Sequence, residues 1–200
     1  MMNTRKLLSM LIVGGILFAS CSSDDDNPVP VNEEELITKM TVSLVSGGGT
    51  VTLIVTDEDG ADGPVAPVVS VSGNLTANTT YNGSVELLNE SESPAELINE
   101  EIEAEADEHQ FFYATSSALN ITTAYTDKES DYKKEDGTSF TTTNPVGLTF
   151  TVTTTDAGTG TLTVTLRHQP NKAADGVVGG NIANAGGDTD ITQIFDITVQ

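Results

Sequence analysis

The chain contains two histidines, His109 and His168, whose positions allow them to share a metal ion. Glu105 precedes His109 by one helical turn, a spacing that places two side chains on the same face of a helix. His168 ends a strand-like segment, in phase with its core-facing side chains. If sheet pairing brings the histidines together, imidazole and carboxylate ligands suit zinc or copper. The alternative is structural, with His109 as a cation at a helix C-terminus and His168 as a strand-end residue.

An acidic loop with the sequence TDEDGADGP offers a second candidate cation site. Asp57, Asp59 and Asp62 supply the oxygen ligands that calcium prefers. The EF-hand pattern is incomplete, because Ala61 stands at a ligand position and Val68 stands where a glutamate belongs. The alternative is a solvated hairpin turn, and the sequence leaves both interpretations open.

A longer polar loop contains Asp127, Glu129 and Asp131 and extends to Asn144. Its length suits a variable binding edge, because binding residues often lie on loops that a rigid scaffold positions. Nothing in the loop identifies a ligand.

The composition restricts the possible functions. The chain of 200 residues has 30 acidic and 8 basic side chains, which gives a formal net charge of −22. Nucleic acid is excluded as a partner, because binding phosphates requires basic side chains. An acidic surface attracts cations or a basic protein partner instead. The chain also lacks the G-x-S-x-G, H-E-x-x-H and phosphate-loop motifs. We therefore predict a protein that is not an enzyme. We also predict that it has no cofactor, except that a divalent cation is the alternative.

The N-terminus has the layout of a secretory signal. Arg5 and Lys6 precede an apolar run over residues 7–18, and the small residues Ala19 and Ser20 follow it. The run is too short to span a bilayer, whose hydrocarbon core is about 30 Å thick. Cleavage before Cys21 removes both basic residues, so the formal net charge changes from −22 to −24.

The only cysteine, Cys21, directly follows these small residues. The residues that end at Cys21 resemble the lipobox of bacterial lipoproteins, although Phe18 stands where the lipobox usually has a leucine. The acidic tract after it resembles the export tract of Bacteroidota-type outer-membrane lipoproteins and comprises Ser22, Ser23, Asp24, Asp25 and Asp26. The resemblance implies a lipid on Cys21, an acyl anchor in the outer-membrane bilayer and display at the cell surface. It also makes an outer-membrane receptor a candidate partner. In physical terms the same tract is a charged, extended tether.

From Leu36 onward, apolar and polar residues alternate with the period of a β-strand. Many of the polar positions are threonine, a residue enriched in strands. Short, regularly spaced strands predict an antiparallel β-sandwich of about seven to nine strands. The strand-like segments are 38–44, 51–55, 67–72, 80–89, 110–115, 120–126, 148–155, 161–168 and 191–199.

The stretch LTANTTYNGSV, which begins at Leu75, resembles the L-x-P-x-T-x-Y-x-V-x-V signature of fibronectin type III domains. Leu75, Thr79, Tyr81 and Val85 match the signature, whereas an alanine and Gly83 replace its proline and valine. The resemblance implies an all-β, Ig-like or fibronectin type III-like sandwich. It also implies a corner in which the Tyr81 hydroxyl bonds to the backbone a few residues upstream.

One segment is helical in character, SPAELINEEIEAEADE. Ser93 and Glu96 have the spacing of a capping box, and Ile98, Ile102 and Ala106 share one face. We predict a single acidic helix near residues 94–108. The predicted organisation is a signal peptide over 1–20, a lipidated acidic tether over 21–33 and a β-sandwich domain over 34–200.

Together these features predict a lipid-anchored binding or accessory module at the outer membrane or cell surface, without catalytic activity. The alternative is a lipoprotein that carries or senses a divalent cation, namely calcium, zinc or copper.

Overall fold

The computed structural model describes residues 36–60 and 63–200, and these form ten strands and one α-helix. The strands are β1 (Lys39–Ser46), β2 (Gly49–Thr56), β3 (Val68–Val71), β4 (Thr80–Asn89), β5 (Glu96–Leu97), β6 (His109–Thr115), β7 (Ile121–Tyr125), β8 (Thr149–Thr154), β9 (Gly158–His168) and β10 (Asp188–Val199). The helix α1 spans Asn99–Ala104, and short 3-10 turns span Glu129–Asp131, Val177–Gly179 and Ile182–Asn184.

The strands form two antiparallel sheets, which confirms the predicted all-β sandwich. One sheet has the order β3-β2-β1-β4-β8-β7, with the short β5 paired to β4. The other has the order β10-β9-β6. Every predicted strand segment is present, and β5 is the strand that the sequence analysis missed.

The core lies between the sheets, and in several strands it follows from the alternation of side chains. In β1, Met40, Val42 and Leu44 are fully buried, while the intervening residues are only partly buried. Val164 of β9 and Phe195 of β10 are fully buried in the same hydrophobic core. The period of two therefore places one face of β1 in the core, whereas the first four residues of β6 are all buried.

Tyr81 forms the predicted corner. The backbone N–H of Thr76 donates a hydrogen bond of 2.7 Å to the Tyr81 hydroxyl oxygen, five residues away. Tyr81 is buried, as are Val85 and Leu87 of the same strand. The membership of the fibronectin type III family that this motif suggested stays a prediction.

The helix is shorter than predicted. It begins at Asn99 rather than near residue 94, because Leu97 continues as a strand paired with Leu88 of β4. The predicted capping box does not cap it, since Ile98 is the N-cap and makes no side-chain cap hydrogen bond. The Asn99 side chain accepts from the Leu87 N–H at 2.7 Å and donates to the Val85 carbonyl at 2.8 Å, which fixes the helix to β4.

The predicted apolar face is correct, because Ile98, Ile102 and Ala106 are all buried. In the described ranges, no helix is long and apolar enough to cross a membrane. The predicted signal peptide and tether, with Cys21 and the tract from Ser22 to Asp26, lie outside the described residues.

Candidate functional site: a buried histidine pair

Strand pairing places the two histidines side by side. His109, the first residue of β6, is the direct antiparallel partner of His168, the last residue of β9. Their imidazole rings stack with centroids 4.4 Å apart and an angle of 25° between the ring planes. Both residues are buried, with exposed fractions of 0% for His109 and 4% for His168. The ends of two strands therefore concentrate four ring nitrogens in one buried position.

Asp190 faces the histidine pair from the neighbouring strand. The register between β9 and β10 shifts between Thr189 and Ile191, so Asp190 is the extra residue of a β-bulge. A bulge can redirect a side chain, and Asp190 is buried although its neighbour Thr189 is exposed. Its carboxylate lies 3.9 Å from His109 Nε2 and 4.0 Å from His168 Nδ1. The bulge thus presents a buried carboxylate to both rings.

The hydrogen bond of His109 fixes the roles of its two nitrogens. Nδ1 lies 3.3 Å from the backbone carbonyl oxygen of Glu105, and because a carbonyl only accepts, Nδ1 carries the proton. In the neutral ring Nε2 then carries the lone pair, and it faces a carboxylate, which when ionised also only accepts. A cation placed between these two groups would therefore contact a ligand atom on each.

Two further carboxylates approach the pair from the segment that follows α1. Ligand atoms of Glu105, His109 and His168 all lie within 4.8 Å of one another. Glu108 Oε2 lies 3.9 Å from His168 Nε2, and this side chain is half-exposed. The structure therefore brings together the three residues that the sequence analysis proposed as a zinc or copper site. Whether a metal binds there stays a prediction.

The residues of the second candidate site are distributed differently. Asp57 and Asp59 line a groove of about 500 Å³ between the β2–β3 connection and the first half of β10, whereas Asp62 lies outside the described residues. Desolvation raises the pKa of the Asp57 carboxyl, with further contributions from the hydrogen bond and charge of Asp59. Asp59 also accepts a hydrogen bond of 3.0 Å from the Val65 N–H, which is a loop-ordering contact. Asp190 lines the same groove, whereas neither histidine does.

Comparison with known proteins finds no matching family model, no similar curated protein and no similar solved structure. The function is therefore argued from the chemistry of the site. Asp190 is the functional candidate that the sequence analysis missed, because strand alternation was recognised only from Ile191 onward. A bulge interrupts the period of two, and no residue pattern in the sequence predicted this bulge.

Proposed function

We propose that this protein is a lipid-anchored binding module of the outer membrane, displayed at the cell surface, and that its ligand is a divalent transition-metal ion. The observation that carries the proposal is the stacking of His109 on His168 in a buried position that Asp190 and Glu105 also reach. Buried charged groups are rare unless they are paired or coordinate metals. A cation held between the rings and the carboxylates neutralises this cluster.

The ligand types favour zinc or copper over calcium. Imidazole nitrogens suit zinc and copper, whereas calcium takes oxygen ligands. In a tetrahedral zinc site with bonds of about 2.0 Å, neighbouring ligand atoms lie about 3.3 Å apart. The separations of Asp190 from His109 and His168 are 3.9 and 4.0 Å. Because the rings are stacked and their lone pairs lie in the ring planes, one imidazole must rotate for both to bind one ion. The hydrogen bond from His109 Nδ1 to the Glu105 carbonyl matches the outer contact that orients metal-binding histidines.

The burial of the site supports a non-catalytic role for the ion. Catalytic zinc sites keep an open position for water or substrate, whereas structural sites are closed. The side chains of His109 and Asp190 are 0% exposed, and that of His168 is 5% exposed. The anchoring part of the proposal is supported by the lipobox-like sequence that ends at Cys21.

The test measures metal on the full-length protein, purified without chelator. We expect zinc or copper to be retained at about one ion per chain and to raise the melting temperature when added to metal-stripped protein. His109→Gln and His168→Gln should abolish both effects. Asp57→Asn is the matched control in the acidic groove and should keep both. If the wild type neither retains zinc or copper nor is stabilised by them, the metal-binding proposal is wrong.

A second candidate function is docking of a protein partner, supported by the exposed edge of the larger sheet. β3 is an edge strand, and its Val68 and Val69 have exposed fractions of 69% and 40%. An exposed apolar edge strand is a template for strand addition, and the net charge of the chain favours a basic partner. Val68→Lys with Val69→Lys should then abolish co-purification of an outer-membrane receptor and leave metal content unchanged. Unchanged co-purification would exclude this edge.

A further inference from the structure

A second buried cluster lies where the polar loop after β7 meets the segment after β9. Lys172 Nζ donates to the Glu129 Oε1 atom at 2.9 Å and to the carbonyl oxygens of Ala106 and Pro145 at 2.7 and 3.1 Å. The side chains of Lys172 and Glu129 are only 5% and 1% exposed. Glu129 belongs to the polar loop whose length suits a variable binding edge, and the structure buries its side chain in the protein.

Asn144 completes the cluster. Its Nδ2 atom donates to Glu129 Oε1 at 3.3 Å and to Oε2 at 3.4 Å. The backbone N–H of Glu129 donates in turn to the Asn144 carbonyl at 2.9 Å. The lysine amine and the asparagine amide therefore contact the same carboxylate oxygen, and the amine also touches the carbonyl of Pro145, the residue after Asn144.

We propose that Lys172 and Asn144 become joined by an intramolecular amide bond, with Glu129 as the proton-transfer group. The set comprises a buried amine as nucleophile, a carboxamide as acyl group and a carboxyl group that touches both nitrogens. A nucleophilic lysine has to be neutral, and desolvation favours that form. Burial lowers the pKa of the Lys172 amine, while its hydrogen bond with Glu129 opposes the shift.

The reaction balances without an oxidant or a co-reactant. Glu129 takes a proton from the Lys172 ammonium, and the neutral Nζ attacks Cγ of Asn144. Glu129 then passes a proton to Nδ2 and takes one from Nζ, the Cγ–Nδ2 bond breaks, and ammonia leaves. One carbon–nitrogen bond forms and one breaks. The products are an amide, a neutral Glu129 carboxyl group and ammonia.

The reaction removes two buried charges, and it leaves one N–H where the ammonium donated to three acceptors. The reactants hold an ammonium and a carboxylate away from water, which is costly even for a hydrogen-bonded pair. The reaction replaces both charges with neutral groups. In the product Nζ becomes the amide nitrogen, and its remaining N–H can still donate to Glu129. Release of ammonia to solvent makes the step effectively one-way.

The link would restrain the segment of the chain that follows His168. It joins the loop before β8 to the segment after His168. A covalent cross-link stabilises mainly by constraining the unfolded chain, as a disulfide does. With one cysteine in the sequence, no disulfide within the chain can take this role.

The test is peptide mapping of the full-length protein after denaturation and trypsin digestion. Trypsin cleaves after Lys134 and Arg167, and an amide-linked Lys172 resists cleavage. We expect residues 135–167 to remain joined to residues 168–200, with the mass of the pair reduced by one ammonia. Glu129→Gln, which retains the shape of the side chain, should yield separate peptides and a folded protein by circular dichroism. Lys39→Met, which removes a partly exposed lysine paired with Glu90, should keep the link.

Three outcomes bear on the proposal. A joined pair in the wild type that is lost in Glu129→Gln and in Asn144→Ala supports it. Release of residues 168–172 from the wild type, with 135–167 at its unmodified mass, overturns it and leaves Lys172 and Glu129 as a buried ion pair. A link that persists in Glu129→Gln overturns the assignment of Glu129 as the proton-transfer group.

Discussion

The Asp190 carboxylate lies 3.9 Å from His109 Nε2. Asp190 is the extra residue of the bulge in β10, where the pairing with β9 shifts register. Without the bulge, the pairing of β10 would continue in register past this position. The extra residue turns a carboxylate towards two imidazoles. The proposed metal site thus depends on a local irregularity of the sheet as much as on the histidines themselves.

Replacing Asp190 therefore tests the geometry of the site. We expect Asp190→Asn to weaken zinc binding by about tenfold or more, because it removes a charged ligand while keeping the shape of the side chain. Asp188→Asn is the matched control, since Asp188 is an exposed acid two residues earlier on the same strand. Isothermal titration with zinc compares the two variants. Equal affinities in both variants would show that Asp190 is not a ligand.

Most strands could be predicted from the sequence because apolar and polar residues alternate along much of their length. Met40, Val42 and Leu44 illustrate this, since all three are buried where the period of two places them. The Tyr81 corner could also be predicted, because its contact with Thr76 is local in sequence. Both patterns involve residues that are close together in the sequence, so they can be recognised without knowing which distant residues pack against them.

The remaining features depend on contacts between distant residues. The helix start was misplaced because Leu97 pairs with Leu88 of β4, a contact that local capping signals do not contain. The burial of Glu129 could not be predicted, because its counter-charge, Lys172, lies 43 positions away. The histidine pair is intermediate, because strand ends suggested it and only the register of β6 with β9 places the rings together.

The hydrogen bond between Thr76 and Tyr81 predicts a measurable contribution to stability. Tyr81→Phe leaves the Thr76 N–H without this acceptor and should cost about 0.5–1.5 kcal/mol of unfolding free energy. Tyr81→Ala also removes a buried ring and should cost roughly 3–5 kcal/mol. Urea unfolding measures both values. A phenylalanine variant as stable as the wild type would show that the corner contributes no net stability.

Tyr132 predicts a loss of stability at alkaline pH. Burial raises the pKa of this phenol, and so does the Asp127 carboxylate, whose Oδ2 atom accepts a hydrogen bond of 2.8 Å from the Tyr132 hydroxyl group. The folded protein therefore keeps the proton above pH of about 10, where the unfolded chain releases it. The resulting stabilisation is complete below that pH and is lost as the pH rises. In Tyr132→Phe, the unfolding free energy measured by urea should fall less steeply above pH of about 10, and identical slopes would contradict the assignment.

The lipobox resemblance predicts where the protein is found in the cell. Cys21→Ala removes the sulfur that would carry the acyl anchor, so the protein should move from the membrane fraction to the soluble fraction. Cys21→Ser is a second variant of nearly the same size and should behave in the same way. Fractionation followed by immunoblotting measures the distribution. Membrane retention of both variants would show that the anchor is not on this residue.

The acidic tract predicts which face of the outer membrane displays the anchored protein. Replacing Asp24, Asp25 and Asp26 with alanine leaves Cys21 in place, so the protein should stay in the membrane fraction. If the tract directs export to the surface, digestion by protease added to intact cells should fall sharply in this variant. Replacing the same three aspartates with glutamate is the matched control, because it keeps the charge and changes only the side-chain length. Undiminished digestion of the alanine variant would leave the tract as a charged tether, whose role is to hold the domain away from the bilayer.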